Sequence, residues 1–152
     1  MRGNVWLVAG GLLSVAAALA HLAVIVGGPD WYRFFGAGEG MARAAERGSP
    51  IPALVTVCIA VVLLVWAAYA FAGAGLIPRL PLMRTALVLI SAAYLIRGLL
   101  LVPALIAWAR GKETLGEHTV AFMVWSSLIV LAYGAAYAVG TWRAWPGLSA
   151  RH

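Results

Sequence analysis

The feature that most constrains this chain is a hydrophobic run over residues 82–108 with a single charge, Arg97, near its middle. Arg97 lies thirteen residues from Arg84 and thirteen from Arg110, which in a helix places it about 20 Å from either. A charge near the centre of a bilayer costs about 2.5 to 3.5 kcal/mol on insertion scales. We therefore expect the other helices to surround Arg97 with partners, and Arg97 is the first functional candidate.

Composition sets the class of the protein. Apolar and aromatic residues make up 64% of the 152 residues, charged residues make up 11%, and the mean hydropathy is +0.94. A bilayer span needs about 20 apolar residues. The sequence predicts an all-α polytopic membrane protein that is one membrane domain over 1–152, a bundle of four transmembrane helices. The predicted spans are about 5–26, 52–73, 84–108 and 119–142.

The connection over residues 27–51 is the one long loop, and we expect it to be partly helical and to lie at the membrane interface. Its first part is rich in aromatic residues, which favour the headgroup region, and residues 39–47 read as a short amphipathic turn. Two readings stay open, a functional lid and an anchor that only seals one end of the bundle. The candidate lid or interface residues are Asp30, Trp31, Tyr32, Arg33, Phe34 and Phe35.

The distribution of charge predicts the orientation. The first and third connections contain every acid: Asp30, Glu39, Glu46, Glu113 and Glu117. The termini and the second connection contain basic residues and no acid: Arg2, Arg79, Arg84, Arg143 and Arg151. Counts of Lys and Arg alone are balanced, so the preference for cytoplasmic termini in a cell inner membrane rests on the acids. Trp6, Trp142 and Trp145 would mark the cytoplasmic interface. The pI near 10.3 then indicates contact with membrane lipids and not with nucleic acid.

Polar residues inside the spans could line one cavity that opens toward the long loop. A spacing of three residues puts Tyr94 on the Arg97 face of the third span, while Trp125, Ser126 and Tyr133 share a face of the fourth. The leading hypothesis is a binding protein for an amphiphilic, lipid-like or anionic hydrophobic ligand, with Arg97 at the floor of its pocket. The predicted ligand-binding residues are Arg97, Tyr94, His21, His118, Ser126, Tyr133, Thr56 and Trp125.

Two other roles stay open for these residues. Arg97 could be structural and bond backbone carbonyls, including that of Leu99, which Pro103 leaves without an N–H donor. His21 and His118 could bind haem or a metal, although they lack the close spacing that such sites usually show. No catalytic residue and no cofactor are predicted, and an enzyme is the less favoured class.

A second class of function is a non-enzymatic subunit of a homo-oligomer or of a larger membrane complex. Small residues repeat at three- and four-residue spacing along the first span and would allow a helix to approach closely. The corresponding surface would be the Gly, Ala and Ser faces of spans one and four. The small-residue face of the first span consists of Gly10, Ser14, Ala17, Ala18 and His21.

Four spans with one long connection after the first resemble the architecture of the DoxX-like and the sigma-2/sterol-isomerase families. The segment Gly-Gly-Pro-Asp-Trp-Tyr-Arg-Phe-Phe-Gly-Ala-Gly-Glu, at residues 27–39, also resembles small bacterial inner-membrane proteins of uncharacterised function. The resemblance implies the architecture alone. The membrane carboxylate typical of the sterol-isomerase group has no counterpart in spans two to four.

Overall fold

The computed structural model describes residues 4–111 and 117–148, with side chains throughout except at 117–119. Every regular element in these ranges is an α-helix, and they contain no β-strand. The helices are α1 (Val5–Phe34), α2 (Glu39–Glu46), α3 (Ile51–Gly73), α4 (Met83–Leu99), α5 (Leu101–Ala109) and α6 (Glu117–Leu148).

Four helical segments are long and apolar enough to cross a membrane: α1, α3, α4 together with α5, and α6. The prediction of an all-α, multi-pass membrane protein is confirmed. Two boundaries differ from the predicted ones by more than two residues: α1 continues eight residues beyond 26, and α6 continues six beyond 142.

The extension of α1 contains a break. Gly28 has φ 68° and ψ −154°, a conformation that suits glycine because it has no Cβ. Pro29 follows at the first position of the next helical turn, where its missing N–H costs nothing. Residues 29–34, which were predicted to be part of the connection, are therefore helical. The short amphipathic turn predicted at residues 39–47 is confirmed by α2.

The third span is also interrupted. Leu100 ends α4 and precedes α5, and the bond from Ala104 N–H to the Leu100 carbonyl is long, at 3.5 Å. Pro103 explains the break, since it cannot donate to the Leu99 carbonyl and its ring crowds the preceding turn.

The chain divides into two compact units, one comprising residues 1–13 and 66–152 and the other residues 14–65. The prediction of one membrane domain stays a prediction. In the first unit α4 packs against α6. A Cβ built on Gly134 would lie 3.1 Å from the backbone nitrogen of Leu95, and one on Gly140 would lie 3.0 Å from that of Leu7. Glycine at these positions lets the helices approach closely.

The small-residue face predicted for α1 is the inward face of that helix. Gly10, Ser14 and Ala18 are buried, and Ala17 and His21 are half-buried. In the first unit Gly10 lies against Tyr137, whose ring carbons would be 2.9 Å from an added Cβ. Part of the small-residue face of α1 is therefore covered by a helix of the same chain.

Candidate functional site

Arg97 is exposed and lies near the middle of the third span. It makes no hydrogen bond or ion pair with any residue that the structure describes. Ile90, on nearly the same side of α4 two turns earlier, is only 4% exposed. Arg97 therefore lies at the edge of the inner face of α4, and its side chain is not covered.

The structure leaves Arg97 exposed and describes no partner for it, which does not support the expectation that other helices surround it with partners. Tyr94 and Gly98 take the inward positions on this part of α4, and both are buried. A Cβ on Gly98 would lie 3.2 Å from the Leu131 backbone nitrogen, so the close approach of α6 fixes the rotation of α4. At about 100° per residue, Arg97 lies about 60° from Tyr94 and 100° from Gly98 around the helix, beside the packed face, and its side chain is exposed.

The helix that follows Arg97 is also uncovered. No residue of α5 is buried, although every residue in it is apolar or aromatic or is proline. Val102 is 53% and Ile106 44% exposed. We call the exposed side chains of Arg97 and of α5 the α4–α5 face, and Arg97 is the only charge from residue 96 to 109.

Structural anchoring of Arg97 on the Leu99 carbonyl stays a prediction. Pro103 has no N–H to give that carbonyl, so the Leu99 carbonyl lacks its usual helical donor. The structure describes no bond between them.

Two residues of the predicted ligand set meet in an aromatic cluster inside the first unit. The Tyr94 ring lies 4.9 Å from Trp66, 5.5 Å from Tyr133 and 5.4 Å from Tyr137, measured between centroids. The Tyr137 hydroxyl donates to the Trp66 carbonyl over 3.1 Å. These edge-on and tilted contacts are typical of stabilising aromatic pairs. Sequence reasoning missed Trp66 and Tyr137, although Tyr137 stands four residues after Tyr133 on one helix face.

The other predicted residues of α6 do not join this cluster. Trp125 is 67% exposed, and the Ser126 hydroxyl donates to the Met123 carbonyl of its own helix over 3.2 Å. The side chain of His118 lies outside the described residues. The structure thus brings Tyr94 and Tyr133 together and leaves Arg97 and Trp125 on the outside.

In the second unit the two predicted polar residues are occupied locally. Thr56 Oγ1 donates to the Pro52 carbonyl over 2.8 Å and lies 3.3 Å from the Tyr32 hydroxyl. His21 Nδ1 donates to the Ala17 carbonyl over 2.8 Å. Such bonds to the preceding turn are the usual way a span satisfies these side chains.

Arg33 is the centre of a charged cluster in the long connection. Its guanidinium bonds Glu39 at 3.0 and 3.1 Å, Glu46 at 2.6 Å and Asp30 at 3.4 Å. Arg43 adds a 3.0 Å bond to Glu39. The hydrogen bond from Arg33, followed by that from Arg43, lowers the pKa of Glu39 to about 2. The acid side chains are about half exposed or more, so solvent screens these pairs.

Under this charged cluster lies a small apolar one that joins α2 to the end of α1. It consists of the buried residues Val24, Tyr32 and Ala42. A cleft of about 220 Å³ runs beside it, and Gly28, Pro29 and Tyr32 form part of its wall. The other predicted lid residues, Trp31, Phe34 and Phe35, are exposed at 43%, 72% and 40%, as an anchor in the headgroup region would require.

Metal ligands do not cluster in the described residues: no three His, Cys, Asp or Glu side chains there could hold one ion. The absence of a cofactor stays a prediction, and so does the alternative that His21 and His118 bind haem or a metal.

Comparison of the chain with protein-family models, with curated proteins and with solved structures gives no match. Any function must therefore be argued from the residues and geometry described above.

Proposed function

We propose that this protein is a non-enzymatic membrane subunit that assembles with a second membrane protein through its α4–α5 face. The observation that carries the proposal is Arg97, a mid-span charge that is exposed and unpaired among the described residues. A charge in contact with lipid tails costs several kcal/mol, and in membrane proteins such residues pair with one another or face a polar surface. A partner that covers Arg97 removes that cost.

The chemistry of the chain favours a partner of a different kind over a second copy. All five acids lie between residues 30 and 46 or between 113 and 117, at the ends of the long helices or between them, so a second copy has no carboxylate to offer at the depth of Arg97. We propose that the partner carries an Asp or Glu within a span, because an arginine and a carboxylate form a two-bond pair.

Self-association through the Gly, Ala and Ser faces has less support. In the first unit, Gly10 lies against Tyr137, Gly134 against Leu95 and Gly140 against Leu7. These glycines serve contacts within the chain and are covered.

The second candidate partner for the exposed Arg97 is an anionic amphiphile. Its carboxylate or phosphate would pair with the guanidinium from the bilayer side, and its tail would lie along α5. This retains the ligand-binding hypothesis with an open surface in place of an enclosed pocket. We rank it below a protein partner, because a lipid headgroup must leave water to reach mid-span.

For location we propose a bacterial inner membrane with both termini in the cytoplasm. Two features support this orientation. The termini and the second connection contain no acid, and Trp6, Trp142 and Trp145 lie near the termini, where they would mark the cytoplasmic interface.

Photo-crosslinking in intact cells tests the proposal. Benzoylphenylalanine at Val102 probes the α4–α5 face, and the same residue at Val61 of α3 is the matched control, since both valines are 53% exposed. We expect the Val102 probe alone to give an adduct with one other membrane protein, and Arg97→Met to abolish it. Replacing the Asp or Glu in the partner's span by Asn or Gln should abolish the adduct as well.

The other outcomes decide against heteromeric assembly. Adducts at Val102 with lipid alone would support the amphiphile. An adduct of twice the chain mass would support self-association. If the probes at Val61 and Val102 gave the same adducts, crosslinking would reflect nonspecific encounters in the membrane and not a specific interface.

A further inference from the structure

One end of the first unit joins arginine and tryptophan side chains from three parts of the sequence. Asn4 Nδ2 donates to the Gly140 carbonyl over 2.6 Å, which brings the start of α1 beside α6. The Arg84 guanidinium stands 4.6 Å from the centroid of the Trp145 ring and donates to the Trp145 carbonyl over 3.0 Å. We call this region the basic end of the first unit.

A second arginine of the basic end is held less firmly. Arg143 Cζ lies 5.6 Å from the centroid of the Trp6 ring, within the range of a cation–π contact. Arg143 is exposed, and no carboxylate contacts it among the described residues. The ring contact leaves Arg143 exposed, and an exposed guanidinium without a carboxylate partner can bind an anion.

No Asp or Glu occurs in residues 1–29, 73–85 or 139–152, so the described residues of this end carry no negative side chain. The termini and the second connection supply arginines and not a single acid. Each Lys or Arg near an anionic membrane surface contributes about 1 kcal/mol to attraction.

Beside these arginines lies an open apolar cleft. Its volume is about 450 Å³, and Trp142, Trp145 and Pro146 line it. Trp142 is 83% exposed and Trp145 42%. Amphipathic indole rings favour the headgroup level of a bilayer, and the volume is within the range of about 300 to 1,000 Å³ usual for small-molecule sites.

We propose that the basic end binds the headgroup of an anionic phospholipid. The phosphate pairs with the Arg143 guanidinium, and the glycerol and first acyl carbons lie on Trp142 and Trp145. Arg84 is a positioning residue, since its contacts with the Trp145 ring and carbonyl fix one wall of the cleft. The site is separate from Arg97, and its occupancy does not depend on the assembly proposed above.

Native mass spectrometry of the full chain from nanodiscs tests this site. The nanodiscs contain phosphatidylcholine and phosphatidylglycerol in equal amounts, and the retained lipids are counted. We expect phosphatidylglycerol to be retained preferentially by wild type, and Arg143→Gln to reduce the preference about fivefold, the effect of one basic group near an anionic surface. Trp142→Ala should reduce total retained lipid.

Arg43→Gln is the matched control, because Arg43 is an exposed arginine outside the basic end. It should keep the wild-type preference. Equal preference in wild type and Arg143→Gln would overturn the proposal, and so would an equal loss in Arg43→Gln. If inorganic phosphate alone raised the melting temperature in detergent as much as phosphatidylglycerol does, the site would be one for free anions and the lipid proposal would fail.

Discussion

Gly98 of α4 and Leu131 of α6 are so close that a Cβ on the glycine would lie 2.5 Å from Leu131 Cγ. The contact recurs in reverse three residues along each helix, where Gly134 of α6 meets Leu95 of α4. Each helix thus places a glycine under a leucine of the other. This reciprocal packing fixes the rotation of α4, and with it the position of Arg97 at the edge of the packed face.

We expect Gly98→Ala to destabilise the protein by about 1 to 3 kcal/mol, the usual cost of inserting a methyl group into a packed core. The Leu131 backbone nitrogen, 3.2 Å from the new Cβ, belongs to a helix and cannot turn aside. Gly147→Ala in α6 is the control, because nothing lies within 4 Å of its Cβ position. Thermal unfolding in one detergent should give a lower midpoint for Gly98→Ala only. Equal midpoints would contradict the packing described.

Tyr137→Phe should cost about 0.5 to 1.5 kcal/mol, because it removes the hydroxyl that donates to the Trp66 carbonyl in a buried position. The same change at Tyr69 is the control. Tyr69 also donates to a carbonyl, that of Pro81 over 3.2 Å, but this bond is exposed. We expect unfolding of Tyr69→Phe to match wild type. A larger loss at Tyr69 than at Tyr137 would show that the bond from Tyr137 to the Trp66 carbonyl does not stabilise the first unit.

The charged cluster of the long connection should loosen in acid. The folded pKa of Glu39, about 2, is below its ordinary value of about 4.3. The stabilisation is therefore complete above about pH 5 and is lost as the pH falls toward 2. Hydrogen exchange of the α2 amides, corrected for intrinsic rates, should rise over this interval in wild type. Glu39→Gln should show high exchange throughout, and an unchanged profile in that variant would refute the role of Glu39.

The proposed orientation places Gly38 in the periplasm and Ser149 in the cytoplasm. Cysteines at these two positions should differ in reaction with an impermeant thiol reagent in intact cells, with Gly38→Cys alone labelled. The background is Cys58→Ala, since the native thiol is exposed in the structure. Labelling of Ser149→Cys alone would reverse the topology.

The helices could be predicted from the sequence because length and hydropathy decide whether a segment spans a membrane. The interruption near Leu100 follows from Pro103, and the inward face of α1 follows from its small residues. The bend at Gly28 was not predicted, because the Gly-Gly-Pro pattern looks the same whether a helix ends there or resumes.

The site was predicted less well than the fold, for a physical reason. A span that is apolar all round has no polar face to show which side turns inward, so sequence spacing could group Arg97 with Tyr94 but could not show which of them is enclosed. The rotation is set by backbone contacts at Gly98 and Gly134. These depend on the partner helix and are invisible along one helix alone.

The central claim is that Arg97 binds an anionic group of a membrane partner. The most direct measurement compares native mass spectra of gently solubilised wild type and Arg97→Met. Met removes the charge at similar length and leaves an apolar surface, so the variant should fold and melt at or above the wild-type temperature. We predict that wild type retains a second membrane protein and that Arg97→Met is found without it. If both retain the same partner, or the same lipids and no protein, in equal amounts, the account is contradicted.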